Sequence, residues 1–385
     1  LISKFNLTQP KLAPISLSPI FSSQDLEKHR ASLHGHKLAL DKYLITQYLQ
    51  KSRLATHLDF IKRSMMMARG DFVDTLLTKM GPMLDKPAQE VYFHNIMPLF
   101  DDEVRKANLH PPGTQASDIL GRLGIKLLEA SPGDTGWDVV CADFQCPPLL
   151  QYLFPPELTL CLMRLWHHLF KLKRNLAKIN EVWLTQRTIF KLLPQGSLFY
   201  RLLAKCNLVR THMTQFLQNL TSYIFLEVIE SRITEYLRSL ATQTSLQQLQ
   251  EATRKLMLTI LEESFIGRDQ HNLYKSVSDL ISYVTRFWKA FGIIQKYCLK
   301  QDDPDSPPTL NQDFPLAKSA KMIDGIWTAY SDVYTRFLLR LEENPDTRNT
   351  AFKFDFNEFH ISSHEEKLTK IYREEMNKPP PPSFD

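Results

Sequence analysis

The sequence predicts an all-α fold, an elongated array of long-helix bundles with one or two short extended segments. Three observations predict it. Glycine is scarce, 12 among 385 residues, which disfavours folds built from tight hairpins or phosphate loops. The 23 prolines cluster in a few places and act as punctuation between helices. Leu158, Leu162, Leu165, Leu169, Leu172, Leu176, Ile179 and Trp183 recur at alternating steps of four and three. That is a heptad seam held for roughly 38 Å at 1.5 Å rise per residue. At this length a single compact bundle is too small a frame, so two or more helical subdomains are expected.

Taken in order, residues 1–24 are rich in Pro, Ser and Leu without period and read as a leader or linker. Helix is expected from near Asp25. Leu54, Leu58, Ile61 and Met65 mark one helical face, interrupted at Arg69-Gly70-Asp71-Phe72. A new face restarts at Phe72, Leu76 and Met80, and Gly81-Pro82 is expected to end it. Helix should resume near Ala88 and run to about Ala107, with a loop at His110-Pro111-Pro112-Gly113 closing a first bundle over residues 25–113. A larger helical region is expected over residues 114–376. It opens on the Pro132–Gly136 turn, which feeds an extended segment from Trp137 to Phe144 that crosses the bundle. Pro155-Pro156 starts the heptad helix, where proline is tolerated. The next helix carries Met213, Phe216, Leu220, Ile224 and Val228 on one face. The one after carries Leu246, Leu249, Thr253, Leu256 and Ile260, with Thr244 and Gln247 at capping-box spacing. Further helices are expected over His271–Leu299 and Ala317–Glu343, separated by a loop at Asp302–Pro308. Phe352, Phe354 and Phe356 alternate with polar residues and predict a short strand, and residues 377–385 read as a disordered Pro-rich tail. No internal repeat of fixed period is present.

The chemistry legible at this stage is sparse. Cys141 and Cys146 lack the second pair that a zinc site needs, and the Pro132–Gly136 glycines lack a phosphate-loop ending. His167, His168 and Cys161 lack an accompanying carboxylate, so packed or solvated histidines are the simpler reading. The loop at Asp302-Asp303-Asp305 has neither the spacing nor the glycine of a calcium loop. No nucleophile-elbow, zinc-protease or Walker pattern occurs, so neither metal nor cofactor is expected and no catalytic residue is assigned. Five cysteines in a large chain suit a reducing compartment better than a disulfide framework. The missing signal pattern and initiating methionine suggest part of a longer cytoplasmic protein, and no apolar run is long enough to span a bilayer.

One surface stands out. Between Thr159 and Arg187 there are six Lys or Arg and one acid, Glu181. Arg164, Lys171 and Lys178 recur every seven residues, and Lys173 and Arg174 thicken the row. This is either a solvated face or a positive surface for an acidic partner. Nucleic acid fits less well, because the net charge is only +5 and no recognition motif accompanies the row.

Several stretches, in this order, resemble the C-terminal half of gamma-tubulin complex proteins, which holds the second Grip motif. They are HLDFIKRSMMMARGDFVDTLL at 57–77, KPAQEVYFHNI at 86–96, and DILGRLGIKLLEASPGDTGWDVVCADF at 118–144. HLFKLKRNLAKINEVW at 168–183, HMTQFLQNLTSYIFLEVIES at 212–231 and FKFDFNEFH at 352–360 follow. The 118–144 stretch is the most specific and is similar to the component-three branch. Cys146-Pro147-Pro148 and Met65-Met66-Met67 depart from the common pattern. The resemblance implies a non-enzymatic scaffold that holds one gamma-tubulin and works with other gamma-tubulin complex proteins at a centrosome or spindle pole body, in the cytoplasm and cytoskeleton. GTP would belong to the bound tubulin. The family's N-terminal half, which makes lateral contacts, is not in this sequence. Candidate partner-binding residues are Arg69, Gly70, Asp71 and Phe72; Arg164, Lys171, Arg174 and Lys178; and Phe354, Asp355, Phe356 and Asn357. An α-helical tether and a basic helical nucleic-acid module are the alternatives.

Overall fold

The computed structural model describes residues 23–107, 109, 120–192, 197–267, 270–300, 309–310, 315–343 and 347–355. The expected leader, the 113/114 boundary, the Asp302–Pro308 loop and the Pro-rich tail lie outside the described residues, apart from Ser23 and Gln24 of the leader, which are helical. The rest is all-α with two short two-stranded sheets. It forms two compact units, each assembled from stretches distant in sequence: Leu1–Lys171 with Ile224–Ser264, and Leu172–Tyr223 with Phe265–Asp385.

The first unit begins with α1 (Ser23–Ser52) and α2 (Leu54–Ser64), separated at Arg53, whose φ of 45° breaks the helical path. The α2 face expected from the spacing is buried throughout: Leu54, Leu58, Ile61 and Met65 are all within the core. Next come α3 (Gly70–Leu84) and α4 (Phe93–Lys106), packed together with Phe72 edge-on to Phe100 at 6.3 Å. Two expectations fail here. Gly81-Pro82 does not end α3: the helix runs on through Pro82 to Leu84, without the i→i−4 bond that the proline nitrogen cannot donate. The helix expected from Ala88 begins instead at Phe93, after a 3-10 turn at Ala88–Glu90.

Strand β1 (Leu123–Leu127), the one-turn helix α5 (Gly136–Val139) and β2 (Val140–Phe144) follow. The strands pair antiparallel, with Leu123 opposite Phe144 and Leu127 opposite Val140. The segment from Trp137 is thus a helical turn before it is a strand, a correction imposed by a capping box at Thr135. β2 is buried along its whole length, which explains why it lacks a polar alternation. The unit takes in α6 (Pro156–Leu192) as far as Lys171. It closes with the residues from Ile224 onward, α8 (Ser231–Ser239) and α9 (Leu246–Glu263). Long-range bonds tie these late residues to early ones. Gln250 Nε2 donates to the Tyr152 carbonyl at 3.1 Å, and Lys62 meets Glu230 at 2.8 Å. The α9 cap is displaced by one residue from the expected pair: Ser245 Oγ accepts from the Gln248 N–H. The Gln248 side chain accepts from the N–H and hydroxyl of Thr244.

The second unit takes α6 from Leu172, then α7 (Leu198–Ser222), α10 (His271–Cys298), α11 (Leu316–Glu343) and α12 (Arg348–Phe354). Strands β3 (Leu299–Lys300) and β4 (Thr309–Leu310) pair antiparallel. α10 and α11 pack along one another. The core gathers Phe216, Tyr334, Phe337, Phe265 and Phe354, with Phe354 5.4 Å from Phe337 and 6.0 Å from Phe216. Of the strand expected at Phe352–Phe356, Phe352 to Phe354 are instead the end of α12, whose amphipathic turn buries Phe354 and leaves Phe352 exposed, and Phe356 lies outside the described residues. Between Tyr223 and Glu230 the chain winds as a π-helix, a form common at functional positions.

The seam of α6 is buried from Leu158 to Leu172 and again at Ile179, but Leu176 is half-buried and Trp183 is exposed. In the second unit α6 buries Asn175, Ile179, Val182, Gln186 and Ile189 instead. Burial follows the neighbours of that unit, with Thr285 of α10 donating to Asn175 Oδ1 at 2.7 Å.

Candidate functional site

The Pro132–Gly136 turn is built to hold helices together. Gly133 takes φ 95°, a conformation that favours glycine. The Asp134 carboxylate accepts from the Ser131 N–H at 2.8 Å and so closes the turn. Ala88 N donates to Asp134 O, Gly136 N donates to Lys86 O, and Pro87 bridges Thr135, so the turn is stitched to the chain just beyond α3. A Cβ on Gly136 would lie 2.8 Å from Leu84 Cα, so only glycine fits that approach. Trp137, 1% exposed, donates from Nε1 to Asp85 Oδ1 at 2.7 Å and packs 5.1 Å from Phe170 of α6.

Asp138 completes the cap and also meets Lys171 Nζ at 2.7 Å. Burial pushes its carboxyl up, but Lys171 and the Thr135 N–H and hydroxyl outweigh that and hold it below the usual carboxylate range. The basic row is therefore not uniformly open. Arg164 is exposed, and Lys171 is paired to Asp138 within the first unit. In the second unit Lys178 lies 3.4 Å from Glu181 and 4.9 Å over the Trp288 ring, and Arg174 is half-buried. The sequence count of acids missed Asp138 and the aromatic because both lie on other elements.

At the start of α3, Arg69 Nε donates to both oxygens of Asp71, at 2.8 and 3.1 Å, and Asp71 Oδ1 accepts from the Phe72 N–H. The guanidinium, then the backbone N–H, hold Asp71 below its ordinary range, although burial opposes this slightly. Asp71 is exposed, Arg69 is half-buried with its side chain reaching solvent, Gly70 has open space around it, and Phe72 is a core residue. In the second unit Phe354 and Asp355 are buried, and the Phe354 carbonyl accepts from Tyr334 Oη at 2.8 Å. Phe356 and Asn357 lie outside the described residues. Arg69, Asp71 and Arg164 face solvent, whereas Phe72, Phe354 and Asp355 support the fold.

Burial pushes the thiols of Cys141, Cys146 and Cys206 up to about 12, so they are protonated and poorly nucleophilic near neutrality. His168, fully enclosed, is lowered to about 4 by burial, with His167 and Lys171 adding to the effect. Among the described residues no group of three or more His, Cys, Asp or Glu is placed to hold a metal, and no helix is long and apolar enough to cross a membrane.

Long helices in two units, with two short two-stranded sheets and a clamped Pro-Gly turn, define a helical protein. The sequence pattern that defines the family described as "Gamma tubulin complex component C-terminal" matches residues 54–360, and the chain belongs to that family. It is 24% identical to human gamma-tubulin complex component 3 over 94% of this chain and 42% of that protein. It is 23% identical to the Arabidopsis thaliana protein of the same name, over 84% of this chain and 42% of that one. It is 24% identical to the Schizosaccharomyces pombe spindle pole body component alp6, over 80% and 38%. The chain spans about two fifths of the length of these relatives.

Proposed function

We propose that this chain is a non-enzymatic, gamma-tubulin-binding scaffold segment of a gamma-tubulin complex subunit, supporting microtubule nucleation at a centrosome or spindle pole body. The observation that carries the reading is the family match over residues 54–360, with relatives named as gamma-tubulin complex or spindle pole body components across animals, plants and fungi. The turn at Pro132–Gly136 fits a structural role in such a scaffold, because its polar groups are spent on the chain just beyond α3 and on its own cap. Arg69, Asp71 and Arg164 are the candidate contacts that a partner can reach, and Phe72, Phe354 and Asp355 contribute by holding the surface in place. Other gamma-tubulin complex proteins are partners of the full assembly. The test is size-exclusion chromatography with light scattering on the purified chain and gamma-tubulin. Co-elution at about one to one is expected for an interface of standard size, on the order of 1,200–2,000 Å². Two separate peaks at micromolar concentration refute the reading.

A further inference from the structure

A second surface, distinct from every candidate above, is assembled in the second unit where the end of α6 faces α7. Trp183, Gln186, Arg187, Phe190, Lys191 and Asn207 line a cleft of about 350 Å³. Between Glu181 and Glu227 the sequence contains no Asp or Glu at all, yet it carries Arg187, Lys191, Arg201, Lys205 and Arg210. Lys205 is paired with Asp324, whereas Lys191 and Arg201 are exposed without an ion pair among the described residues.

The cleft holds a donor that lacks its acceptor. Gln186 is 1% exposed, and its Oε1 accepts from Arg210 Nε at 3.0 Å. Arginine only donates, so this bond fixes the amide orientation and leaves Nε2 as the group facing away from Arg210. Gln186 Nε2 has no hydrogen-bond partner. Arg210 is itself held by Asn207 Oδ1 at 2.9 Å, so the arrangement is rigid. A buried donor left unmade carries a desolvation penalty that an incoming oxygen relieves. Around it stand two further features. The Arg187 guanidinium lies 5.9 Å over the Trp183 ring, and Trp183 is 44% exposed. Leu184, Leu198 and Leu208 on the same two helices are more exposed still.

We propose that this cleft binds an acidic peptide segment of a partner protein, one carboxylate meeting Arg187 and Lys191 and, as the lining side chains shift to admit it, Gln186 Nε2, while an apolar side chain packs beside Trp183 and Phe190. Charge complementarity selects the acid, because no carboxylate of the chain's own α6 end or α7 competes for the cations. A peptide is favoured over nucleic acid by the exposed leucines, which a phosphate backbone does not use. This goes beyond gamma-tubulin binding and does not depend on it.

The test is fluorescence anisotropy on the full chain with a labelled synthetic peptide in which Asp and Glu alternate with Leu and Phe. Its control is the same peptide with Asn and Gln in place of the acids, and oligouridine RNA is the competitor. The acidic peptide should bind with an affinity that falls as salt rises, and the neutral one should bind at least tenfold more weakly. Arg187→Glu with Lys191→Glu should weaken the acidic peptide tenfold or more. Gln186→Glu keeps an acceptor for Arg210 but replaces the free donor with a carboxylate, so it should weaken binding similarly while the melting temperature holds. Arg164→Glu, on the other unit, should leave binding unchanged. Equal affinity for the neutral peptide, indifference to the cleft variants, or no binding of the acidic peptide at millimolar concentration overturns the proposal. So does RNA that displaces the peptide and is sensitive to the same variants.

Discussion

Gly136 and Gly70 show how two glycines in one unit carry opposite meanings. A methyl at Gly136 meets Leu84 Cα at 2.8 Å and the Leu84 carbonyl at 3.0 Å, both backbone atoms that cannot swing aside. Gly136→Ala should therefore cost about 1–3 kcal/mol by forcing the turn off α3, read by urea denaturation. A methyl at Gly70 meets nothing within 4 Å, at the first residue of a helix. Gly70→Ala should be neutral or stabilise by up to about 1 kcal/mol in the same assay. His168 supplies a pH dependence. Its pKa is about 4 in the folded chain against an ordinary value of 6.5, so on acidification the unfolded chain takes up the proton first. Stability should be flat above the ordinary value and fall by about 3 kcal/mol in total as pH drops to the folded value. His57 and His167, lowered chiefly by burial, act in the same direction. Urea titrations at a series of pH values check the slope, and His168→Leu should flatten it. None of this was legible in the sequence, where His167-His168 offered only a choice between packed and solvated.

At the scale of elements, α6 was the most legible because leucines at heptad spacing leave few alternatives. The exposed Trp183 was not, since periodicity reports that a helix has an apolar face and not which neighbours each turn meets. Phe352–Phe356 misled for a related reason. Alternation over so few residues is shared by a strand and by one helical turn, and the Phe354 core contacts decide between them. The charge row stayed open between two readings in the sequence because its internal contacts are remote along the chain: Asp138 sits in α5, Trp288 in α10. Of the residues proposed for partner contact, those on α3 and α6 were thus found as positions, while their exposure had to come from the fold. A contrast follows within the row. Lys171→Glu sets a new carboxylate beside Asp138 and should lower stability by about 1 kcal/mol, the pair being about one-third exposed and partly screened. Arg164→Glu, with no ion-pair partner among the described residues, should leave the melting temperature where it is. Differential scanning calorimetry of the two variants side by side checks this.

For the whole molecule, the family reading predicts binding without efficient nucleation. Nucleation needs several gamma-tubulins side by side, and linked sites raise effective concentration in a way that one site does not. The resemblance assigns lateral spacing to the family's other half. The α6 seam from Leu158 to Leu172 and the face from Met213 to Val228 are spent inside the fold, so those stretches are not open for self-association. In a turbidity assay this chain with gamma-tubulin should stay close to gamma-tubulin alone and well below an assembled complex. Nucleation equal to the complex would show that the chain organises an array by itself.

The interleaving of the two units has a consequence for how the protein is made. The first unit needs Glu230 and Gln250 to finish its packing, and these are translated only after the whole of α7. At about 5–20 residues per second, the earlier part of that unit waits on the order of several seconds outside the ribosome with its apolar faces uncovered. During that interval the segment offers a chaperone a window for engagement. Bisecting the gene at any one codon divides at least one unit, so neither half of the protein is a natural expression unit.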